Sequence, residues 1–226
     1  LADKQADAVV TPKTLDELKH VVSTAVRLRI PITVRGGGSA NYGQSVPLKG
    51  GIVLDMTAYS GIVALGNGTI RARAGTLVAE MDLAAKATGW ELRMHPTTAR
   101  IATIAGYVAG GTGGPGSVAY GILRDRGNIA AVQVLTMEEQ PRLLELTGPD
   151  AQLAHHTYGA TGIITEVEMP LAPAWPWIEA LVAFPDYLQA VRFGVSLAQQ
   201  TGITRKVVSV QELSLIHISE PTRPER

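Results

Sequence analysis

Two glycine-rich stretches constrain this chain more than anything else in it. The first, Arg35-Gly36-Gly37-Gly38-Ser39, follows directly on the apolar run Ile32-Thr33-Val34. The second is longer: Thr103-Ile104-Ala105-Gly106-Tyr107-Val108-Ala109-Gly110-Gly111-Thr112-Gly113-Gly114-Pro115-Gly116. Consecutive glycines reach backbone angles closed to other residues, and with no side chains in the way their N–H groups converge on an anion. One such stretch is a flexible turn as readily as a binding loop. Two in one chain point to a backbone cradle for a large phosphorylated cofactor. Beside the first, Ser39 supplies a hydroxyl, and Asn41 and Gln44 supply amides suited to phosphate or ring atoms. Arg35 is either a phosphate contact or the solvated, ion-paired arginine more common at a strand end.

The common phosphate motifs do not fit. A dinucleotide-binding Rossmann unit needs a strand, a G-x-G-x-x-G turn and an immediate helix. Here the glycines lead into Asn41-Tyr42-Gly43-Gln44-Ser45-Val46-Pro47, which has no helical apolar period. Neither stretch ends in Gly-Lys-Ser or Gly-Lys-Thr, so there is no ATP- or GTP-binding P-loop.

Composition narrows the classes further. With 226 residues, 46% of them hydrophobic, the chain has material for one good-sized core and the beginning of a second. A formal net charge of zero, with lysines and arginines dispersed, gives no reason to expect a nucleic-acid partner. There is no cysteine, which excludes disulfides, thiolate metal sites and a cysteinyl cofactor link, and agrees with a reducing, cytoplasmic location. No apolar run is long enough for a transmembrane helix, and the first residues lack a signal-peptide pattern. The absence of an initiator methionine suggests a fragment. The adjacent His155 and His156 lack the acidic or cysteine neighbours of a ligand set, so no metal site is expected.

The chain reads as mixed helix and strand. Residues 7–10 form a short strand, and Thr14 caps a helix with Glu17 in capping-box position. Leu15, Leu18, Val22, Ala25 and Val26 make its buried stripe, and Pro31 closes it. Strands follow at 32–34 and 52–54, and residues 62–65 pair with 70–73 across Gly66-Asn67-Gly68. A second helix runs from near Thr76 to near Gly89 with Leu77, Met81 and Ala84 on its apolar face. Residues 130–135 and 143–146 form a hairpin pair, and 163–169 a further strand. Several of these pairs are linked too tightly to be parallel, which favours an α+β fold over a doubly wound sheet. Composition changes at 170–176, a boundary that gives domains of 1–171 and 172–213. In the second, a strand is expected at 178–184, a helix capped by Asp186 carrying Leu188, Val191, Val195 and Ala198, and a strand near Val207. Residues 214–226, with Leu215-Ile216-His217-Ile218-Ser219-Glu220-Pro221, resemble translated sequencing-adapter read-through, and a truncated, non-native tail is expected there.

Three motifs in order carry a resemblance. Arg35 to Gly43 match a strand ending Arg-Gly-x-Gly-Thr/Ser with a following glycine. Pro96, Thr103-Ile104-Ala105-Gly106, Gly113-Gly114, Tyr120-Gly121 and Asp125 match a second pattern, and Gly159-Ala160-Thr161-Gly162-Ile163-Ile164-Thr165 a third. From Pro12 through Leu171 the chain resembles the FAD-binding type 4, or PCMH-type, domain of the vanillyl-alcohol oxidase/p-cresol methylhydroxylase superfamily, in particular its glycolate and D-lactate dehydrogenase branch.

The resemblance implies two subdomains clasping an extended FAD, followed by a substrate domain on an antiparallel sheet. It implies that Arg35, Gly36, Gly37, Gly38, Ser39, Ala40, Asn41 and Gln44 hold the pyrophosphate and adjacent atoms. Pro96, Thr97, Thr103, Gly106, Gly110, Gly111 and Gly113 would line the ribityl and ring approach, and Ile164 would make backbone contacts. Tyr120 and Asp125 read as structural, and His95 as an ordinary loop residue. Some members link FAD through a histidine in the first motif, where this chain has Ser39, so noncovalent FAD is expected. The implied chemistry is oxidation of a 2-hydroxy acid such as glycolate or D-lactate, by hydride transfer to flavin N5 and on to an acceptor other than nicotinamide. No catalytic base is identified. An alcohol or alditol oxidase, or a non-catalytic FAD-binding subunit, are the alternatives. A partner subunit or a homo-oligomer fits either.

Overall fold

A computed structural model describes residues 4–40, 42–66 and 68–212 of the chain. The N-terminal part builds a three-stranded parallel sheet from β1 (Ala8–Val10), β2 (Ile32–Arg35) and β3 (Ile52–Asp55), in the order β1-β3-β2. The crossover between the first two strands is α1 (Leu15–Leu28). Its start follows from the capping box: Thr14 Oγ1 accepts the Glu17 N–H at 3.2 Å, and Glu17 Oε2 accepts the Thr14 N–H at 3.3 Å. Leu18, Val22 and Ala25 are its buried stripe. Its end is not made by Pro31. Arg29 turns left-handed at φ 55°, and the Ile30 N–H returns to the Ala25 carbonyl at 2.8 Å, so the helix is closed before the proline is reached.

The larger sheet is antiparallel. It comprises β4 (Ile62–Gly66), β5 (Thr69–Arg73), β6 (Trp90–Leu92), β7 (Ala131–Leu135), β8 (Leu143–Thr147) and β9 (Ile163–Pro173), in the order β4-β5-β9-β7-β8 with β6 also on β9. The central β9 pairs Val167 with Ala72 on one side and with Val132 on the other. It buries Ile163, Ile164, Val167, Met169 and Leu171, as a strand covered on both faces must. It also runs through Pro173, where it pairs with Trp90 of β6. One small parallel sheet and one larger antiparallel sheet make the α+β fold that the tight strand links implied.

Helix α2 (Val78–Lys86) buries Val78, Met81 and Ala85, a face turned by one residue from the expected Leu77, Met81 and Ala84. Two further short helices are α3 (Ile104–Gly110) and α4 (Ser117–Tyr120). Leu18, Val22, Leu54, Met56, Leu135 and Ile163 form one core cluster, which joins α1 to the ends of the inner strands β7 and β9. A second gathers Ile70, Met81, Leu92, Ile104, Val108, Val132 and Val167. Ala105 of α3 packs against both, so this helix sits at the junction of the two cores.

After β9, residues 174–184 form no strand, and Ile178 and Leu181 are almost fully exposed. No described strand offers them a ladder of hydrogen bonds, and a lone strand is not stable. The expected strand near Val207 is absent for the same reason. Helix α5 (Tyr187–Gln199) does form, capped by Asp186 Oδ1 accepting the Leu188 N–H at 3.1 Å, but Leu188 and Val195 of its expected buried stripe are exposed. The tail expected at 214–226 lies outside the described residues. No helix among the described residues is long and apolar enough to cross a membrane.

Candidate functional site

The second glycine stretch begins as a helix. Thr103 caps α3 by accepting the Gly106 N–H on its hydroxyl at 3.3 Å, and Ile104, Tyr107 and Val108 are buried in the core. Burial of these three offsets the poor helix propensity of the glycines between them. The first stretch is laid directly against this region. A Cβ on Gly36 would collide with the Thr103 hydroxyl, and one on Gly37 with the carbonyl oxygen of Ile101. Gly36 therefore makes room for the Thr103 side chain, and Gly37 lets its backbone meet that of Ile101. Gly38 is different: its φ of 67° is left-handed, and the Arg35 guanidinium folds over the place where its Cβ would stand, 2.7 Å away. Gly110 is different again, because a Cβ there would meet nothing within 4 Å.

Between these walls lies a cleft of about 350 Å³. It brings together Arg35, Gly36, Gly37, Gly38, Ser39, Ala40 and Gln44 from the first stretch. From the second come Thr103, Gly106, Gly110 and Gly113, from the loop before it Pro96 and Thr97, and from β9 Ile164. Asn41 lies outside the described residues. Gly111 is not brought to the cleft. It is the left-handed C-cap of α3 at φ 68°, its N–H donating to the Tyr107 carbonyl at 3.0 Å, and its missing Cβ leaves room for the His156 ring. Its glycine is explained by helix termination.

Among the described residues no aspartate or glutamate lines the cleft, and the one charged lining side chain is Arg35, which is exposed and has no ion-pair partner. Tyr120 and Asp125 stand away from it. The Asp125 carboxylate accepts the Ile122 N–H at 2.9 Å, and the Arg93 guanidinium lies 5.8 Å from the Tyr120 ring centre, which are structural roles. His95 shares a hydrogen bond with the Pro96 carbonyl at 3.1 Å and does not face the cleft.

Three tyrosines also line the cleft without having been read from the sequence: Tyr42, Tyr107 and Tyr158. Tyr107 is 3% exposed and its hydroxyl has no hydrogen-bond partner among the described residues. Burial pushes its pKa well above the ordinary phenol value, so the group is a neutral donor. Tyr158 is half exposed and shares a 2.6 Å hydrogen bond with His156 Nε2. The neighbouring His155 is held below the ordinary imidazole value, first by burial and then by the charges of His156 and Arg124, and its Nε2 is buried without a partner among the described residues. The sequence signal for Tyr158 was its place just ahead of Gly159-Ala160-Thr161-Gly162, and for Tyr42 and Tyr107 their place within the two glycine motifs.

A cleft with glycine-rich walls that, among the described residues, carries one unpaired cation, no carboxylate and a buried phenol without a partner fits an extended ligand with an anionic segment. Comparison with known proteins agrees in kind. A family model described as an FAD binding domain matches residues 6–140. The glycolate oxidase subunit GlcD of Bacillus subtilis (strain 168) is 28% identical over 84% of this chain and 42% of its own length. The D-lactate dehydrogenase of Archaeoglobus fulgidus is 27% identical over 96% of this chain and 50% of its own. The chain thus spans about half the length of these relatives or less. Among solved structures, alkyldihydroxyacetonephosphate synthase superposes with a TM-score of 0.63 at 25% identity, covering 73% of this chain and 34% of that one.

Proposed function

Because the chain belongs to the FAD-binding-domain family, matched over residues 6–140, we propose that its cleft holds FAD without a covalent bond, in an FAD-dependent oxidoreductase that acts on a 2-hydroxy acid such as glycolate or D-lactate. The observation that carries the reading is the convergence of both glycine stretches and Ile164 on one cleft whose only charged lining group among the described residues is Arg35.

In this reading the main-chain N–H groups of residues 36–40 face the pyrophosphate, with the Arg35 guanidinium as counter-charge and Gln44 beside them. Pro96, Thr97, Thr103, Gly106, Gly110 and Gly113 line the path of the ribityl chain and ring, and Ile164 contributes backbone groups. Ser39 stands where a linking histidine occurs in some relatives. Among the described residues no histidine lines the cleft, and the chain has no cysteine, which supports a noncovalent hold. Bound FAD supplies the hydride acceptor. The protein's part is to fix the cofactor between the two walls and to keep carboxylates away from its phosphates.

Residues 1–171 are assigned to the FAD-binding domain and 172–213 to a substrate-facing domain, whose exposed Ile178 and Leu181 suit further packing. The choice of substrate leans on the two relatives named as a glycolate oxidase subunit and a D-lactate dehydrogenase, and the word subunit in the first supports a partner protein. Acid precipitation of the FAD-loaded protein tests the cofactor claim: yellow flavin belongs in the supernatant, and flavin retained on the denatured chain overturns it. Anaerobic bleaching of the flavin by glycolate or D-lactate, and by neither a simple alcohol nor an alditol, tests the substrate class.

A further inference from the structure

His156 and Tyr158 hold a backbone conformation that bulky side chains avoid. Their φ angles are 56° and 52°, in the left-handed region where glycine or asparagine is at ease. Both are pinned there by α3. The His156 N–H donates to the Val108 carbonyl and the Tyr158 N–H to the Ala109 carbonyl, each at 3.1 Å. The His156 ring rests on Gly111, where a Cβ would come within 2.6 Å of it. From that seat its Nε2 lies 2.6 Å from the Tyr158 hydroxyl, with the rings edge to face at 5.1 Å.

The consequence is a tyrosine whose polar atom is already engaged and whose ring is 45% exposed in the lining of the cleft. Tyr158 lines the same cleft as Gly36, Gly37 and Gly38, and a Cβ on its neighbour Gly159 would stand 3.9 Å from Val34, two residues before Gly36. Strain held by specific contacts at a cleft wall is a mark of function. Resting on the FAD reading of the cleft, we propose that Tyr158 is a cofactor-contacting residue, its ring packing against bound FAD beside the first glycine stretch, and that His156 is the positioning residue that holds the ring there. A satisfied hydroxyl leaves the ring itself as the surface offered, which suits a flat or apolar part of the ligand.

The experiment is FAD titration of the whole chain, followed by flavin fluorescence, alongside apo-protein melting. Tyr158→Leu keeps the strained backbone and removes the ring; its affinity should fall about tenfold, the scale of one aromatic contact, while the apo melting temperature stays within about 2 °C of the parent. Should that variant fail to fold, Tyr158→Asn, which suits left-handed backbone, carries the same expectation. Tyr158→Phe keeps the ring and should lose no more than about threefold, and His156→Asn the same, with the double variant losing no more than either single change, because both remove one hydrogen bond. Affinity within about twofold of the parent in Tyr158→Leu, or equal losses in the leucine and phenylalanine variants, overturns the role of the ring. Additive losses in the double variant overturn the role of His156. A parent protein that binds no FAD overturns the cofactor reading and this inference together, whereas a binding parent with an indifferent leucine variant overturns this inference alone.

Discussion

The ε-ammonium of Lys206 lies 2.8 Å from Glu91 Oε2, inside a contact that ties the last described segment to β6. Glu91 is 2% exposed, and its carboxylate also accepts the Trp177 indole N–H at 2.9 and 3.0 Å. The ammonium lies 5.6 Å from the Trp177 ring centre, and the Lys206 carbonyl accepts the Gly116 N–H at 2.6 Å. A buried pair of this kind is costly to break from one side because the remaining charge is left without its match. Lys206→Met should therefore lower stability by about 3 kcal/mol in urea unfolding, with Trp177 emission shifting to the red as the segment loosens. Glu91→Gln combined with Lys206→Met, which removes the unmatched charge and keeps an acceptor for the Trp177 N–H, should recover most of the loss. A single Lys206→Met variant as stable as the parent would show that the pair does not hold the segment.

Gly37 and Gly110 line the same cleft but answer to different neighbours. At Gly37 a side chain meets the Ile101 carbonyl, so Gly37→Val has to part the first glycine stretch from the segment that leads into the second and should cost more than about 2 kcal/mol of stability before any ligand is considered. At Gly110 it enters open space in the cleft, so Gly110→Val should leave stability within about 1 kcal/mol and still weaken FAD binding at least about tenfold. Melting curves and FAD titrations on the two variants separate the effects. Unchanged FAD affinity in Gly110→Val would mean that the cofactor does not pass this wall.

Much of this was legible in the residues themselves, and what was not has a common cause. The Thr14 and Glu17 capping box, the β4-β5 hairpin and the strand that delivers Arg35 are local patterns, and local patterns survive into the fold. Helix α3 was hidden because its glycines argue against a helix, while the burial of Ile104, Tyr107 and Val108 that stabilises it is set by the rest of the fold. Gly36, Gly37 and Gly111 were read as making room for a ligand. The first two line the cleft, but the atoms that require their missing side chains belong to Thr103 and Ile101; for Gly111 they belong to His156. Residues 178–184 have the composition of a strand without a partner to pair with. Tyr158 carries no motif of its own, and its place in the cleft is fixed by hydrogen bonds to α3 that no spacing rule foretells.

Acid should reveal the ion network on the larger sheet. Arg71 donates to both Glu145 oxygens, at 2.6 and 2.9 Å, and through Nε to Glu166 at 2.6 Å. The hydrogen bond from Arg71 is the main reason that Glu145 titrates below the ordinary carboxylate value. A carboxyl lowered by folding adds stability that is complete above its unfolded pKa and disappears as pH falls through its folded one. Glu145→Gln should thus melt lower than the parent at neutral pH and converge with it at the acid end. The Glu145 side chain is 42% exposed, so salt should shrink the neutral-pH difference. A constant offset at every pH would assign the effect to packing instead.

Arg35 offers the sharpest test of how the cleft recognises its ligand. It could have been an ordinary solvated residue at the end of β2, but it folds over Gly38, lines the cleft and has no ion-pair partner among the described residues. With no carboxylate in the lining to compete for it, the guanidinium is free to face a diphosphate, and a charge-assisted hydrogen bond of that kind contributes about 1.5–3 kcal/mol. Arg35→Gln retains a donor and removes the charge, so FAD affinity should drop roughly tenfold or more. The dependence of binding on salt should flatten at the same time, because the screened interaction is the one removed. Riboflavin, which has no phosphate, should bind the variant and the parent alike. If FAD affinity and its salt dependence are both unchanged in a folded Arg35→Gln protein, the diphosphate is held by backbone N–H groups alone and Arg35 is the solvated strand end after all.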